Sequence, residues 1–557
     1  MTPGFTYRIL IYTNDSPELW KTFQIIAGSP INIEVKDGVT YKWFVYSYNN
    51  NETLPVPTDT QNPTVEAPIT KDLLFASGQL TIPPTPPGEN PIYPLDIVFN
   101  HKMAKISFKI DANILADYAT VNGLKVVFSD NDYIKNGVFN IKNNVMDSYN
   151  IVPVTEIINS AASNPTNTWN VTYYTADPES LASYSIKITD LPVTFTGVDP
   201  NIANVNLATF SSAITPIPNI EATFNFITPT AGQELIGTLN LSYTLSSRRI
   251  LHGSNTTSFG YSFQKGPSWN MINALENFGN LSNSLVRMQP YATGQGVWIG
   301  GTASGDDGTN FLTALATTAQ SNAIMARINS TDPNIRPDIV ILAYDHWFMT
   351  SALQDALVSY INDGGVCIMM NEFTDINSPQ SFLNKLFVLP ANTITLEPLG
   401  PAGTMYRLLN VDDRVLNGPF GDARQKLWGE DASTAVGAQN LPLDQVVIYS
   451  YGQGVNRATN VIDAQAVSMF RHKTKNFFYL GDGGLISYDG GVSATICPFD
   501  YNPVTKRPIP KLFGYAGNGY GVRSDYAYNG IIAGNIMLWA GELSEFKGIK
   551  RWKYRPD

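Results

Sequence analysis

Up to about residue 247, apolar and polar residues alternate along short segments that are rich in β-branched and aromatic side chains. An alternation with a period of two is typical of strands with one buried face. Clusters of Asn, Gly, Pro and Asp separate the segments, as turns between strands require. The pattern predicts β-sandwich structure, with strands in FTYRILIYT, TYKWFVYSY, LDIVFNHKMAKISFKI, LKVVFSD, NVTYYT, SYSIKITDL, IEATFNFI and GTLNLSYTL.

A proline-rich segment interrupts this pattern. The run IPPTPPGENPIYP, residues 82–94, holds too many prolines for a sheet interior or a helix. We interpret it as a linker or a rigid crossover near a domain boundary. The sequence therefore predicts two β-domains, residues 1–92 and 93–247.

After Arg248 the pattern changes to strands followed by helices. The continuous apolar runs DIVILAY and VCIMM suit strands that are buried on both faces, as in a parallel sheet covered by helices. Between them, Leu353, Leu357 and Ile361 recur at helical spacing, and two glycines at 364–365 supply the stop. Residues 248–557 are therefore predicted to form an open, mostly parallel α/β domain.

Length and composition limit the classes of function. A chain of 557 residues is too long for one core, since single cores stop growing at about 250 to 300 residues. The net charge of -11 argues against a general nucleic-acid binder, which needs a basic surface. No apolar stretch is long enough to predict a transmembrane segment. The two cysteines form neither a disulfide framework nor a CxxC zinc site.

Polar residues that follow the predicted strands of the α/β domain are the candidates for chemistry. In an open parallel sheet, ligands bind beyond the carboxyl ends of the strands. Two histidines and three carboxylates at this edge would suffice for a metal site or a general acid/base pair. The alternative is that these positions are polar because loop ends are solvated, and the lack of HExxH or any paired-ligand spacing favours it. The candidate residues are His252, Asp345, His346, Glu372 and Asp482.

Residues 248–557 resemble the class I glutamine-amidotransferase-like superfamily in their order of helix, GG turn, strand and late GDGG. The resemblance implies an α/β fold of the flavodoxin or amidotransferase-like kind, with a catalytic cysteine at a sharp glycine turn after a strand. Here Cys367 lies two residues into the run VCIMM, without that turn, and no histidine-acid pair is recognisable. We therefore expect a buried structural thiol, a domain without catalytic activity, and no cofactor.

The N-terminal half resembles the fimbrillin-like adhesins of the surface of Gram-negative gut and oral anaerobes. An early strand YRILIYT and the run YKWFVYSYNNNETLP at 41–55, in which an aromatic strand ends in an Asn-rich turn, carry the resemblance. A third feature is DLLFASGQLTI followed by the family pattern of Phe, His and a small-basic-aliphatic strand. That pattern is matched by Phe99, His101, Ala104, Lys105 and Ile106. In this context His101 is expected to be a structural residue at a strand edge.

The family resemblance implies two transthyretin-like β-sandwich domains in series, export as a lipoprotein to the outer membrane, and assembly with other fimbrial subunits by strand donation. A donated strand completes a sandwich whose groove is open. In this family pattern a protease releases an early strand, and Arg8 is the candidate trypsin-like cleavage point. The chain departs from the pattern in lacking an N-terminal lipidation cysteine, and we expect an export leader that is not present here.

These observations together predict a multidomain protein, with two β-sandwich domains followed by the α/β domain. The expected function is that of a cell-surface, fimbria-associated adhesin, a tip or accessory subunit that displays its C-terminal domain. Its expected partners are other fimbrial subunits and a host or bacterial surface protein or glycan. The alternative is a surface hydrolase or carbohydrate-processing enzyme with its site at the strand ends of the α/β domain.

Overall fold

The structure is a computed structural model of the chain. It describes residues 1–154, 157–160, 166–209, 220–243, 248–253, 266–279, 284–286, 297–299, 318–332, 335–343, 349–371, 376–399, 403–431, 434–454, 466–487, 497–513 and 525–549. These residues form two compact units. The first holds the described residues up to 194, with 206–209 and 220–243, and the second holds 195–205 and the described residues from 248 onward. The division into domains 1–92, 93–247 and 248–557 stays a prediction.

The chain up to residue 240 is built from short strands, as the alternating pattern predicts. Helix α1 (Asn113–Ala116) and a turn of 3-10 helix at Pro178–Ser180 are also present. The strands are β1 (Thr6–Thr13), β2 (Leu19–Ile26), β3 (Thr40–Ser47), β4 (Thr64–Ala67), β5 (Leu74–Thr81), β6 (Asn100–His101), β7 (Ala104–Asp111), β8 (Ala119–Val121), β9 (Leu124–Phe128), β10 (Lys135–Asn140), β11 (Val145–Ile151), β12 (Ile158–Ser160), β13 (Thr168–Thr175), β14 (Ser183–Asp190), β15 (Pro192–Phe195), β16 (Asn204–Asn206), β17 (Glu221–Asn225) and β18 (Glu234–Asn240).

These strands pair into small sheets. Their orders are β2-β1-β3-β5-β6, β11-β10-β4, β12-β9-β14-β17, β13-β7-β18 and β16-β15-β8. Strand β1 is an interior strand, antiparallel to both of its neighbours. Strand β4 pairs with β10, so a hydrogen-bonded ladder joins residues on either side of position 92.

Strand β7 shows how the sequence pattern produces the buried face. Ala104, Ile106, Phe108 and Ile110 are buried, and the residues between them are only partly so. Side chains of successive strand residues point to opposite faces, so this alternation covers one face of the sheet with apolar groups. The preceding strand β6 belongs to a different sheet, since it pairs with β5, and the chain changes sheets between His101 and Ala104.

The second unit contains strands and longer helices. The helices are α2 (Gly266–Ile272), α3 (Thr318–Ile328), α4 (Ser351–Asn362), α5 (Asn377–Leu386) and α6 (Asn529–Phe546), with a 3-10 turn at Gly483–Ile486. The strands are β19 (Ile250–Gly253), β20 (Val297–Ile299), β21 (Ile339–Ala343), β22 (Val366–Met370), β23 (Thr395–Pro398), β24 (Met405–Leu408), β25 (Asn417–Gly418), β26 (Gly421–Asp422), β27 (Leu427–Gly429), β28 (Val436–Gln439), β29 (Val446–Gly454), β30 (Val467–His472), β31 (Phe477–Leu480), β32 (Lys511–Phe513) and β33 (Asp525–Ala527).

The main sheet of this unit is parallel only in part. Strands β20, β19, β21, β22 and β31 are parallel neighbours. Beyond β31 the order continues through β30, β29, β24 and β27, and each of these successive pairs is antiparallel. The prediction of a mostly parallel sheet is therefore wrong. The short connection between β30 and β31 is long enough for a hairpin but not for the crossover that parallel neighbours require.

Helices cover both faces of this sheet. In β21, Ile339 and Ile341 pack in one apolar core with residues of α2 and α6, whereas Val340 and Leu342 pack in another with residues of α3, α4 and α5. This two-sided burial accounts for the continuous apolar run in the sequence. Helix α4 begins where Thr350 accepts a hydrogen bond from the backbone N–H of Leu353, at 3.2 Å.

Helix α6 is buried on nearly all sides. It runs for 18 residues, and its apolar side chains belong to the core on one face of the sheet. A helix that is apolar all round is typical of the centre of a large domain. Among the helices in the described part of the chain, none is both long enough and apolar enough to cross a membrane.

Candidate functional site

Of the five candidate residues at strand ends, the structure describes the side chain of one. His252 lies in β19, but its side chain is outside the described part of the chain. Asp345, His346 and Glu372 also lie outside the described residues. Whether these side chains converge on Asp482 therefore stays a prediction.

Asp482 lies directly after β31 and Gly481, at the carboxyl end of the parallel part of the sheet. Its carboxyl group is fully buried. Oδ1 accepts a hydrogen bond of 2.9 Å from the backbone N–H of Gly484, so the side chain caps the following 3-10 turn. In the described structure, the role of Asp482 is therefore to cap this 3-10 turn.

A second buried carboxyl group, which the sequence analysis did not select, interacts with Asp482. Glu430 follows β27, and its Oε2 accepts hydrogen bonds of 2.9 Å from the Tyr406 hydroxyl and from the backbone N–H of Ala435. Burial raises the pKa of Glu430 well above its usual range, and the charge of Asp482 raises it further. Burial and the neighbouring Asp431 raise the pKa of Asp482 in the same way.

The raised pKa values of Glu430 and Asp482 mean that these two buried carboxyl groups hold protons tightly. Burial and like charge both favour the protonated form, so Glu430 and Asp482 together bind protons more tightly than exposed carboxyl groups do. Both side chains are fully buried, which excludes direct contact with a large substrate in this conformation. Within the described ranges, no group of three or more His, Cys, Asp or Glu side chains could hold a metal ion.

Cys367 occupies the middle of the sheet. It is fully buried in β22 between β21 and β31, and burial raises the pKa of its thiol to about 12. The nucleophile in cysteine enzymes is the thiolate, which this environment disfavours. The geometry therefore gives Cys367 the properties of a small core side chain.

In the first unit, strand β1 fills a groove between β2 and β3. Ile9 pairs with Phe23 on one side and with Val45 on the other. Ile9 and Ile11 pack into one apolar core, and Leu10 and Tyr12 pack into the core on the opposite face. The strand thus carries apolar contacts on both faces and ladder hydrogen bonds on both edges.

Arg8 is part of this buried strand. Only 8% of the residue is exposed, and its guanidinium donates hydrogen bonds to Gln24 Oε1 at 3.2 Å and to the Leu54 carbonyl at 3.1 Å. A protease needs an extended, accessible segment around the bond that it cleaves. In this fold the candidate cleavage point becomes accessible only after β1 has left the sheet.

His101 has a defined partner at the edge of the first sheet. Its Nδ1 lies 2.9 Å from Oδ1 of Asp72, and the side-chain amide of Asn49 donates to Oδ2 of the same carboxylate at 3.1 Å. Asp72 is buried, whereas the His101 side chain is about half exposed at 48%. The contacts tie β6 to the segment before β5, as expected of a structural residue.

No protein-family model matches the chain, and no curated protein matches it. Among solved structures, a candidate cell adhesion protein from Bacteroides fragilis is 13% identical over 44% of this chain and 82% of its own, with a TM-score of 0.24. A second from Bacteroides ovatus is 17% identical over 34% and 75%, with a TM-score of 0.22. The fimbrial anchor protein Mfa2 from Porphyromonas gingivalis is 11% identical over 36% and 72%, with a TM-score of 0.20.

All three structures are named for cell adhesion or for fimbriae, which is also the class that the N-terminal sequence resembles. The TM-scores are too low to assign a fold or a function to this chain. These likenesses give no support to the predicted resemblance of residues 248–557 to glutamine amidotransferases.

Proposed function

We propose that this chain is a cell-surface, fimbria-associated adhesin, a tip or accessory subunit that assembles by β-strand donation and displays its second unit outward. The observation that carries the proposal is the position of β1. The first strand of the chain is an interior strand, and Leu10 and Ile9 are 0% and 1% exposed.

Removal of β1 would leave a specific vacancy. Strands β2 and β3 would each lose a hydrogen-bonding partner, and the apolar side chains of both cores would be uncovered. An extended segment from another subunit satisfies both requirements at once, because its backbone pairs with the open edges and its alternate side chains fill the two cores. Export as an outer-membrane lipoprotein is part of the same proposal.

Deletion of residues 1–13 tests this mechanism. We expect the truncated protein to keep its fold and to associate with itself or with a fimbrial partner, because its groove is open. Size-exclusion chromatography of the truncated and full-length proteins measures this association. Adding a peptide of residues 5–13 is expected to return the truncated protein to the monomer.

The matched control is the same peptide with Ile9→Ser and Ile11→Ser, which keeps the backbone donors but removes the apolar contacts on one face. It is expected to bind much more weakly. A folded truncated protein that stays monomeric and captures neither the peptide nor a subunit would remove strand donation from the proposal.

We further propose that the second unit has no catalytic role. The high thiol pKa of Cys367 and the complete burial of Glu430 and Asp482 support this proposal. The rival function, a surface hydrolase, would use the predicted cluster at the strand ends.

Replacing Cys367 with Ala tests whether the thiol has a catalytic role. Loss of a small buried side chain is expected to destabilise the protein by about 1 to 2 kcal/mol. Ammonia release from glutamine is expected to stay at the level of the blank for both the wild type and the variant. An activity that the wild type shows and a folded Cys367→Ala protein lacks would establish a cysteine enzyme.

A further inference from the structure

An open cleft of about 420 Å³ lies at one end of the first sheet. Its walls come from the end of β1, the turn that leads into β2, strand β3 and the turn between β10 and β11. A volume of this size lies at the lower end of the range for small-molecule sites, roughly 300 to 1,000 Å³. The lining residues are Tyr12, Thr13, Asn14, Asp15, Ser16, Pro17, Lys42, Phe44 and Lys142.

The floor of the cleft is aromatic. Tyr12 pairs directly with Lys42 across the ladder, and Leu10 pairs with Phe44, so the side chains of Tyr12, Lys42 and Phe44 share one face of the sheet. The rings of Tyr12 and Phe44 meet edge to face, with centroids 5.8 Å apart. Tyr12 is buried, whereas Phe44 is partly exposed and so presents apolar ring surface.

One ammonium group is fixed in the wall. Lys142 Nζ donates hydrogen bonds to the carbonyl of Pro17 at 3.0 Å and to that of Gln61 at 2.7 Å, and it lies 4.1 Å from the centre of the Tyr12 ring. These contacts hold the turn before β2 against the turn after β10. Lys142 therefore shapes the cleft.

Apart from Lys142, the lining carries one positively charged side chain, Lys42, and one negatively charged side chain, Asp15. In the part of the chain that the structure describes, no hydrogen bond or ion pair engages the Lys42 ammonium or the Asp15 carboxylate. The Lys42 ammonium offers hydrogen-bond donors and the Asp15 carboxylate offers acceptors, whereas the Thr13 hydroxyl and the Asn14 amide offer both. A ligand that suits this lining carries many hydroxyl groups, no net charge, and an apolar face for Phe44.

We propose that this cleft binds a neutral sugar ring of a surface glycan, with one face of the ring on Phe44 and its hydroxyl groups on Asp15 and Lys42. The proposal rests on the proposed adhesin function and names its ligand class. The proposal also distinguishes a terminal subunit, which keeps β1, from a polymerising subunit, which exchanges it. Because Tyr12 and Thr13 belong to β1, a subunit that has exchanged β1 for another strand loses this part of the cleft.

Saturation-transfer NMR on the full-length protein tests the proposal, with lactose, maltose, cellobiose and mannobiose as probes. We expect at least one of these neutral disaccharides to bind, and its affinity to fall at least tenfold in both Asp15→Ala and Phe44→Leu. Asp15 is an exposed turn residue, so its replacement leaves the fold intact. Asp96→Ala is the matched control, since it removes an exposed carboxylate of the same unit outside the cleft, and it is expected to bind as the wild type does.

Three results would overturn the proposal. These are no binding of any of the four disaccharides at millimolar concentration, binding that is unchanged in Asp15→Ala and Phe44→Leu, and binding of glucuronate in place of the neutral sugars. The truncation experiment on residues 1–13 reads association between subunits, whereas this experiment uses the chain with β1 in place. Failure of the saccharide proposal is thus distinguishable from failure of strand donation.

Discussion

Replacing Arg248 with Met is expected to destabilise the second unit by about 3 to 5 kcal/mol. The Arg248 guanidinium forms an ion pair with the Glu545 carboxylate of α6, and the two side chains are 0% and 1% exposed. It also donates a hydrogen bond of 3.2 Å to the Ser544 carbonyl. Without the arginine, Glu545 would remain in the core as a charge that has lost its cationic partner.

The double variant Arg248→Met with Glu545→Leu isolates the cause. It removes both charges and keeps apolar volume, so most of the lost stability is expected to return. Amide hydrogen exchange along α6 measures the free energy of opening for this unit without interference from the first. If the single and double variants lose the same stability, packing of the arginine rather than the charge of Glu545 is responsible.

Lys385→Met serves as the control for charge removal at a surface. Lys385 pairs with Asp355 at 2.7 Å, but the Asp355 side chain is 66% exposed. Exposed pairs contribute about 0 to 1 kcal/mol, because water already solvates both charges. The difference in stability loss between Lys385→Met and Arg248→Met therefore tests the effect of burial on an ion pair.

Apolar patterning predicted the local elements of this chain better than the connections between them. The alternation in β7 and the continuous apolar run in β21 each reflect how many faces of a strand are buried. Consecutive residues of the sequence are enough to reveal that property. The direction of β30 relative to β31 depends instead on the short connection before Phe477. The sequence analysis predicted a mostly parallel sheet, and so it missed the antiparallel hairpin that β30 forms with β31.

The candidate site shows the same limit. Asp482 could be selected because it follows an apolar strand, whereas Glu430 follows the short strand Leu427–Gly429, which has no periodic pattern. Their electrostatic interaction joins two segments that are far apart along the chain, and local spacing does not encode such a contact. Nor does the sequence reveal that both groups are buried, although burial determines whether a carboxyl group meets solvent or holds its proton.

Acidification is expected to destabilise the second unit through His472. This residue is 4% exposed, and its ring packs 5.1 Å from the ring of Phe387. Nδ1 accepts hydrogen bonds of 3.1 Å from the backbone N–H groups of Thr474 and Lys475. Burial, with a smaller contribution from the charge of Lys475, lowers the pKa of His472 from 6.5 to about 4.

The sign of the effect follows from this lowered pKa. Between pH 6.5 and pH 4 the unfolded chain binds a proton at His472 while the folded protein does not, so stability falls as the pH falls. The stability that His472 contributes is present above the unfolded pKa, and roughly 3 kcal/mol of it is lost by pH 4. Protonation would also place a positive charge next to the two backbone N–H groups that now donate hydrogen bonds to Nδ1.

His472→Asn tests this prediction, because an amide oxygen can accept the same hydrogen bonds but does not titrate. Urea denaturation at several pH values, with hydrogen exchange of α6 as the readout, is expected to show similar stability for the two proteins at pH 8 and a more stable variant at pH 4. The raised pKa values of Glu430 and Asp482 are common to both proteins and cancel in the difference. Parallel pH profiles of the wild type and the variant would mean that His472 is not the group whose protonation destabilises this unit.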